Sequence, residues 1–295
     1  MIFNSDKMIK NFILLLFLSI SSLAYSIDKE KPKKKDELVI IHTAFGDMTV
    51  LLYEETPLHK ANFLRLAKAG IYDSASWHRV IRDFMVQGGD VTKKAEAKDF
   101  QLEEVPAEIV DQYFHEKGAL AAARQGDQVN PERKSSSCQF YIVHGKKFES
   151  DELTIDRNKL QRGISLLLND SGADTIRQQF QEIAKTGDGE RLDSLAISYA
   201  DLINEKFDLN VEKEISPEAL KAYTSLGGSP HLDGAYTVFG KVVSGLAIID
   251  ELASVQTGRR DKPVEDIYMT MEVISMKTKT ITKNYGYVYP PIKRK

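Results

Sequence analysis

Trp77-His-Arg-Val-Ile-Arg-Asp-Phe-Met-Val-Gln-Gly-Gly-Asp-Val-Thr92 is the stretch on which the reading of this chain turns. It gathers an arginine, a phenylalanine, a methionine and a glutamine, and it ends in a glycine pair. Read as a strand, residues 76–81 alternate, which predicts Trp77, Arg79 and Ile81 on one face and His78 and Val80 on the other. A guanidinium then stands among apolar neighbours. Gly88-Gly89 can adopt backbone angles closed to other residues and so turn the chain sharply after Gln87. A charged fork in an apolar surface suits recognition of a carbonyl or amide in an apolar group. A surface strand with a solvated or acid-paired arginine accounts for the same residue types equally well, so the stretch by itself leaves both readings open.

The flanking sequence predicts a barrel. Residues 38–43 and 48–53 are β-rich runs joined by Ala44-Phe-Gly-Asp47, a hairpin pattern. Thr56-Pro57 opens a helix whose apolar positions Ala61, Phe63, Leu64 and Leu66 end at Gly70. Residues 93–117 are charged and irregular, with room for a short helix at 107–116. Strands are expected at 118–123, 139–144, 236–242 and 268–276, and a second helix at 245–253. Short strands with two helices at separate points suit a mainly β fold, a closed antiparallel β-barrel capped by two helices.

Between 146 and 224 the rhythm becomes helical. Leu160, Ile164 and Leu167 share one stripe, Ile176, Phe180 and Ile183 a second, and Leu192, Leu195, Tyr199 and Leu202 a third. Ser216-Pro217-Glu218 opens a fourth helix, with a capping serine before an N1 proline. These stripes predict an inserted α-helical subdomain with its own core. The barrel then consists of residues 38–145 and 225–277. The lysine-rich tail 278–295 is either loose or packed back on the barrel.

The opening stretch resembles the central signature of the cyclophilins, the peptidyl-prolyl cis/trans isomerases, which runs Phe-His-Arg-x-Ile-x-x-Phe-Met-x-Gln-Gly-Gly-Asp. Here Trp77 replaces the leading aromatic and every other named position is kept. Three further segments match in the family order. Gly118-Ala-Leu-Ala-Ala-Ala-Arg124 is similar to Gly-x-Leu-x-Met-Ala-Asn, and Ser137-Cys-Gln-Phe-Tyr-Ile142 to Gly-Ser-Gln-Phe-Phe-Ile. His231-Leu-Asp-Gly-Ala-Tyr-Thr-Val-Phe-Gly240 is similar to Trp-Leu-Asp-Gly-x-His-x-Val-Phe-Gly. The helical block has no counterpart in a minimal cyclophilin.

The resemblance implies a cyclophilin-like barrel and assigns expected roles. Arg79 matches the catalytic arginine and Gln87 the glutamine that helps hold the substrate carbonyl. Phe84, Met85, Tyr141 and Leu232 match the walls of the proline pocket. Ala123, Arg124 and Gln139, with Phe140 beside them, match substrate-contacting positions, and His231 and Tyr236 stand where Trp and His line the rim. Cyclosporin binding, which the family associates with that tryptophan, is expected to be weak with His231 in its place. Tyr141 adds a hydroxyl that needs water or a partner.

These residues suit a reaction without bond breaking. An X-Pro bond rotates over a barrier of roughly 20 kcal/mol, and its twisted transition state frees a lone pair on the imide nitrogen. An arginine placed there donates a hydrogen bond that exists only in the transition state. Lowering the barrier by about 7 kcal/mol speeds rotation roughly 10⁵-fold. No cofactor or metal is expected, and the six histidines show no zinc-like spacing. The alternative is a non-catalytic peptide-binding or chaperone module that uses the groove and the insertion.

Lys7 and Lys10 precede an apolar run over 12–20 and then Ser-Ser-Leu-Ala-Tyr-Ser26, the layout of a secretory signal peptide cut after Ser26. Met1 and Met8 are both possible starts. Nine or so apolar residues are too few to span a bilayer, so the expected destination is periplasmic or secreted, with no stable membrane span after cleavage. Residues 27–37 read as a disordered linker. The net charge of −3 argues against nucleic acid as a partner, and the expected partners are proline-containing polypeptide clients. Cys138, the only cysteine, reads as a buried strand thiol.

Overall fold

A computed structural model describes residues 34–290 of the 295. The signal peptide expected at 1–26 and most of the linker lie outside the described residues.

Eight strands close into an antiparallel barrel in the order β1-β2-β7-β5-β6-β4-β3-β8. They are β1 (Lys35–Thr43), β2 (Gly46–Leu52), β3 (Ala75–Ile81), β4 (Met85–Gly88), β5 (Ala119–Ala122), β6 (Phe140–Val143), β7 (Val238–Ser244) and β8 (Tyr268–Lys277). Closure leaves no free sheet edge. The expected hairpin is β1–β2, in register from Leu38 opposite Leu51 to Thr43 opposite Gly46. β1 begins inside the stretch expected to be a linker, because Lys35 already pairs with Lys277 and Asp36 is buried beside the Lys60 ammonium at 3.0 Å.

Helices α1 (Pro57–Lys68) and α8 (Leu246–Ala253) cover the barrel interior. Phe63 and Leu66 of α1 and Ile249 and Leu252 of α8 join one core with Val39, Val50, Trp77, Val86, Leu120, Phe140 and Phe239. Pro57 occupies the first turn of α1, where a missing N–H costs no helical bond. The helix expected at 107–116 is absent. Those residues run as an irregular segment whose side chains serve neighbours instead. Glu108 accepts from the backbone N–H groups of Leu58 and His59 at the start of α1, at 3.0 and 2.9 Å, and the Tyr113 ring stacks on Tyr53 at 3.7 Å.

The insertion is helical, as its stripes predict. It comprises α2 (Ser150–Thr154), α3 (Arg157–Asn169), α4 (Asp174–Thr186), α5 (Gly189–Ser198), α6 (Ala200–Phe207) and α7 (Pro217–Ser225). The third stripe is two helices, not one, with the break at Tyr199. Leu160, Leu167, Ala200, Ile203 and Val211 form a core separate from the barrel. Gly163 permits the close crossing of α3 and α6, since a Cβ there would lie 2.2 Å from Ile203. The Ser216 hydroxyl accepts from the Ala219 N–H at 3.1 Å and caps α7. The tail packs back through α9 (Thr278–Tyr285), whose Ile281 is fully buried against Leu38 and Leu51 on the outer wall of the barrel.

Candidate active site

The alternation expected along β3 fails at one residue. Trp77 pairs with Gly88 and Arg79 with Gln87, so His78 is an extra residue, a β-bulge. Trp77 and Val80 therefore point into the barrel, while Arg79 and Ile81 point outward. Gly88 makes room for the indole, since a Cβ there would lie 3.1 Å from Trp77 Cε3. Arg79 does not share a face with Trp77 as the pattern predicts. It stands on the outer wall, and its apolar neighbours come from other strands.

Register then builds the site. Arg79, Gln87, Tyr141 and Ala121 follow one another across β3, β4, β6 and β5 in a single outward row. Trp77, Gly88, Phe140 and Ala122 form the next row, facing inward. Around the outer row lies a hollow of about 180 Å³, lined by Arg79, Phe84, Met85, Gln87, Ala123, Arg124, Tyr141, Leu232 and Tyr236. Met85, Tyr141 and Leu232 are buried and give it apolar walls. The rim carries His231, exposed, with its ring 5.3 Å from that of Phe84.

Nine of the twelve residues expected at the site line this hollow. Gln139 stands just behind it, where its Oε1 accepts from Gln87 Nε2 at 3.1 Å. His231 borders it. Phe140 does not belong to it. Its side chain is 1% exposed and packs edge-on against Phe63, Tyr72 and Trp77 at centroid distances of 5.3, 5.6 and 5.7 Å. Adjacent strand residues face opposite ways, so Tyr141 can reach the hollow only if Phe140 does not.

Arg124 lines the hollow but is committed to its frame. Its Nε donates to the Ala235 carbonyl at 2.8 Å, its Nη1 contacts Asp127 at 2.7 Å, and the guanidinium lies 4.3 Å over the Tyr236 ring. Arg79 is freer, with its side chain 43% exposed and one long contact, Nε to Asp261 Oδ2 at 3.4 Å. The loop carrying Asp261 turns through Arg260 and Asp261, both with φ near +60°.

The hydroxyl of Tyr141 finds a partner within the protein. It lies 3.0 Å from Nε2 of His115, a fully buried side chain whose Nδ1 is 2.8 Å from Asp233 Oδ1. Burial, with the Tyr236 hydroxyl nearby, pushes the Tyr141 phenol well above its ordinary range, so the group stays protonated. Burial also holds the His231 imidazole below its ordinary value, with His115 adding to the effect. The sequence shows no zinc-like spacing among the six histidines and singles out none of His115, Asp233 and Asp261 for the site. The need of the Tyr141 hydroxyl for a partner was the available signal for the first two, and nothing in the pattern pointed to Asp261.

Comparison with known proteins bears on the family. The family model described as cyclophilin type peptidyl-prolyl cis-trans isomerase/CLD matches residues 38–162 and 220–273, which leaves the middle of the insertion outside it. A provisionally named peptidyl-prolyl cis-trans isomerase of Staphylococcus haemolyticus is 28% identical over 78% of this chain and 86% of its own length. A provisionally named bifunctional phosphatase/peptidyl-prolyl cis-trans isomerase of Streptococcus pyogenes is 32% identical over 80% of this chain, but the chain spans only 38% of that protein. Among solved structures, a cyclophilin type isomerase of Cryptosporidium parvum is 17% identical, with a TM-score of 0.47 over 82% of this chain and 98% of its own. The closed eight-stranded barrel and the family match over both of its halves lead to one assignment: this chain belongs to the cyclophilin-type peptidyl-prolyl cis-trans isomerase family.

Proposed function

We propose that the protein accelerates cis/trans isomerisation of X-Pro bonds in polypeptide clients, with Arg79 supplying the transition-state hydrogen bond. The observation that carries this reading is the outward row that sets a half-exposed Arg79 guanidinium and the Gln87 amide beside an apolar hollow. The proline ring enters between Phe84, Met85, Tyr141 and Leu232, where its burial is favourable at roughly 25 cal/mol per Å². Gln87 Nε2 has two hydrogens and uses one on Gln139, so the second is available for the substrate carbonyl. The acyl side rotates while the ring is held, and Arg79 donates to the imide nitrogen as its lone pair appears. Arg79 serves only if it can leave the 3.4 Å contact with Asp261, a half-exposed pair worth at most about 1 kcal/mol.

A protease-coupled assay on an Ala-Pro-Phe type peptide tests the reading. Arg79→Ala is expected to lower kcat/KM by about 10²-fold or more, and equal rates would refute it. The clients are expected to be exported proteins, a reading supported by the leader-like residues 1–26. The mass of the protein recovered from the cell envelope and medium tests it, with cleavage after Ser26 as the expected result. A client-binding role is a second reading, favoured by α4 and α5, which bury no side chain completely. Under that reading Arg79→Ala still suppresses client aggregation.

A further inference from the structure

Behind the pocket runs a chain of side chains that ends in the insertion. Tyr141 Oη lies 3.0 Å from His115 Nε2, His115 Nδ1 lies 2.8 Å from Asp233 Oδ1, and Tyr223 Oη lies 2.5 Å from Asp233 Oδ2. Tyr141 belongs to β6 and the pocket wall, whereas Tyr223 belongs to α7, the last helix of the insertion. Neither His115 nor Tyr223 has any accessible surface.

With a neutral His115 the donors and acceptors give the chain one direction. The Asp233 carboxylate only accepts, and its Oδ1 also takes the backbone N–H of His115 at 2.8 Å. In the neutral imidazole the proton then sits on Nδ1, facing Asp233 Oδ1, and Nε2 accepts from the Tyr141 hydroxyl. Tyr223 donates to the other carboxylate oxygen. Every polar hydrogen in the chain has one destination, so the arrangement fixes the Tyr141 ring and turns its hydroxyl away from the proline site. The His115 ring also lies nearly parallel to that of Tyr141, at 6.0 Å and 13°.

The junction is rigid where the chain crosses it. A Cβ on Gly228 would meet Tyr223 Cε1 at 2.4 Å and the His115 carbonyl at 2.3 Å. The Tyr223 ring packs against Phe114 and Phe148 at 5.7 and 6.3 Å. The carbonyl of Phe84, another residue of the pocket, receives the N–H groups of His144 and Gly145 at 3.1 and 3.0 Å, and Gly145 packs against Gly228 in turn.

We propose that His115 and Asp233 are positioning residues for the proline pocket, and that Tyr223 makes its geometry depend on the docking of the helical insertion. The inference rests on the pocket assigned above and adds that the insertion reaches it through Tyr141. A double-mutant cycle in the full-length chain decides it. Tyr223→Phe removes one hydroxyl and keeps the ring, and Asp233 Oδ2 can take water because its side chain is one-third exposed. Affinity for a short Ala-Pro peptide is read by NMR titration, together with the cis/trans exchange rate of the bound peptide, for wild type, Tyr223→Phe, Tyr141→Phe and the double variant. Tyr223→Phe is expected to weaken binding about threefold or more in the parent, and less than about 1.5-fold once Tyr141 is Phe. The change falls on Kd rather than on the exchange rate. The same fold-change in both backgrounds, or no change in the parent, overturns the coupling. A parent that binds the peptide but does not accelerate exchange refutes the isomerase reading, and the binding cycle still decides the coupling.

Discussion

Replacing Phe140 by alanine separates the inward row from the outward one. The side chain is 1% exposed, contacts three aromatic rings at 5.3–5.7 Å, and sits where a Cβ on Gly89 would come within 2.7 Å of its ring. The surroundings are held by closed strand pairing and cannot collapse far into the gap. A buried Phe→Ala change costs about 3–5 kcal/mol, and the loss of three edge-on ring contacts favours the upper part of that range. For a chain of this size each kcal/mol lowers Tm by about 2–4 °C, so a fall on the order of 10 °C is expected. Phe140→Leu keeps most of the volume and costs less, which leaves enough folded protein for kinetics. Urea and thermal unfolding give the stability, and a peptide isomerisation assay at 10 °C gives the activity. The expected result is lower stability with KM and kcat within about twofold of wild type. If Phe140→Leu raises KM severalfold while stability holds within about 0.5 kcal/mol, the side chain contacts substrate and the assignment of the two rows is wrong.

The remaining predictions concern acid stability and the loop beside Arg79. His59 is buried, with Nδ1 2.7 Å from Glu108 and Nε2 2.9 Å from Ser135, and burial holds its pKa below 6.5 despite the opposing carboxylate. A lowered imidazole pKa means that the unfolded chain takes up the proton first. The stability it contributes is complete above about pH 6.5 and declines as pH falls toward the folded pKa, by up to about 1.4 kcal/mol per pH unit. His59→Gln should flatten urea-unfolding stability between pH 6.5 and 5.5, and an unchanged slope would contradict this. Asp261→Asn frees Arg79 from a half-exposed contact, so kcat/KM should change by less than about fivefold. A larger loss would show that the carboxylate itself orients the guanidinium.

How much of this was legible in the residues depends on what each reading assumed. Gly88-Gly89, Arg79 and Gln87 could be read because their spacing is fixed within one short segment. The faces of β3 could not, since strict alternation does not anticipate the extra residue at His78, and the space Gly88 leaves for Met269 and Trp77 appears only in the folded barrel. Phe140 is expected beside Gln139 among the substrate-contacting positions because the matched segment runs through both, although period-two geometry sets it on the face opposite Tyr141. The stripes at 160–167 and 176–183 identified helices correctly because amphipathic spacing is local. The chain from Tyr141 to Tyr223 spans residues 115, 141, 223 and 233, brought together only by barrel closure and the docking of α7.

The central claim is that Arg79 stabilises the twisted imide and does not merely hold the substrate. Exchange spectroscopy on an Ala-Pro peptide at saturating concentration measures the on-protein cis/trans rate apart from affinity. Arg79→Ala should cut that rate by about 10²-fold or more while Kd changes far less. An unchanged exchange rate with a Kd raised by the same factor would contradict the account, for it would make Arg79 a binding residue only.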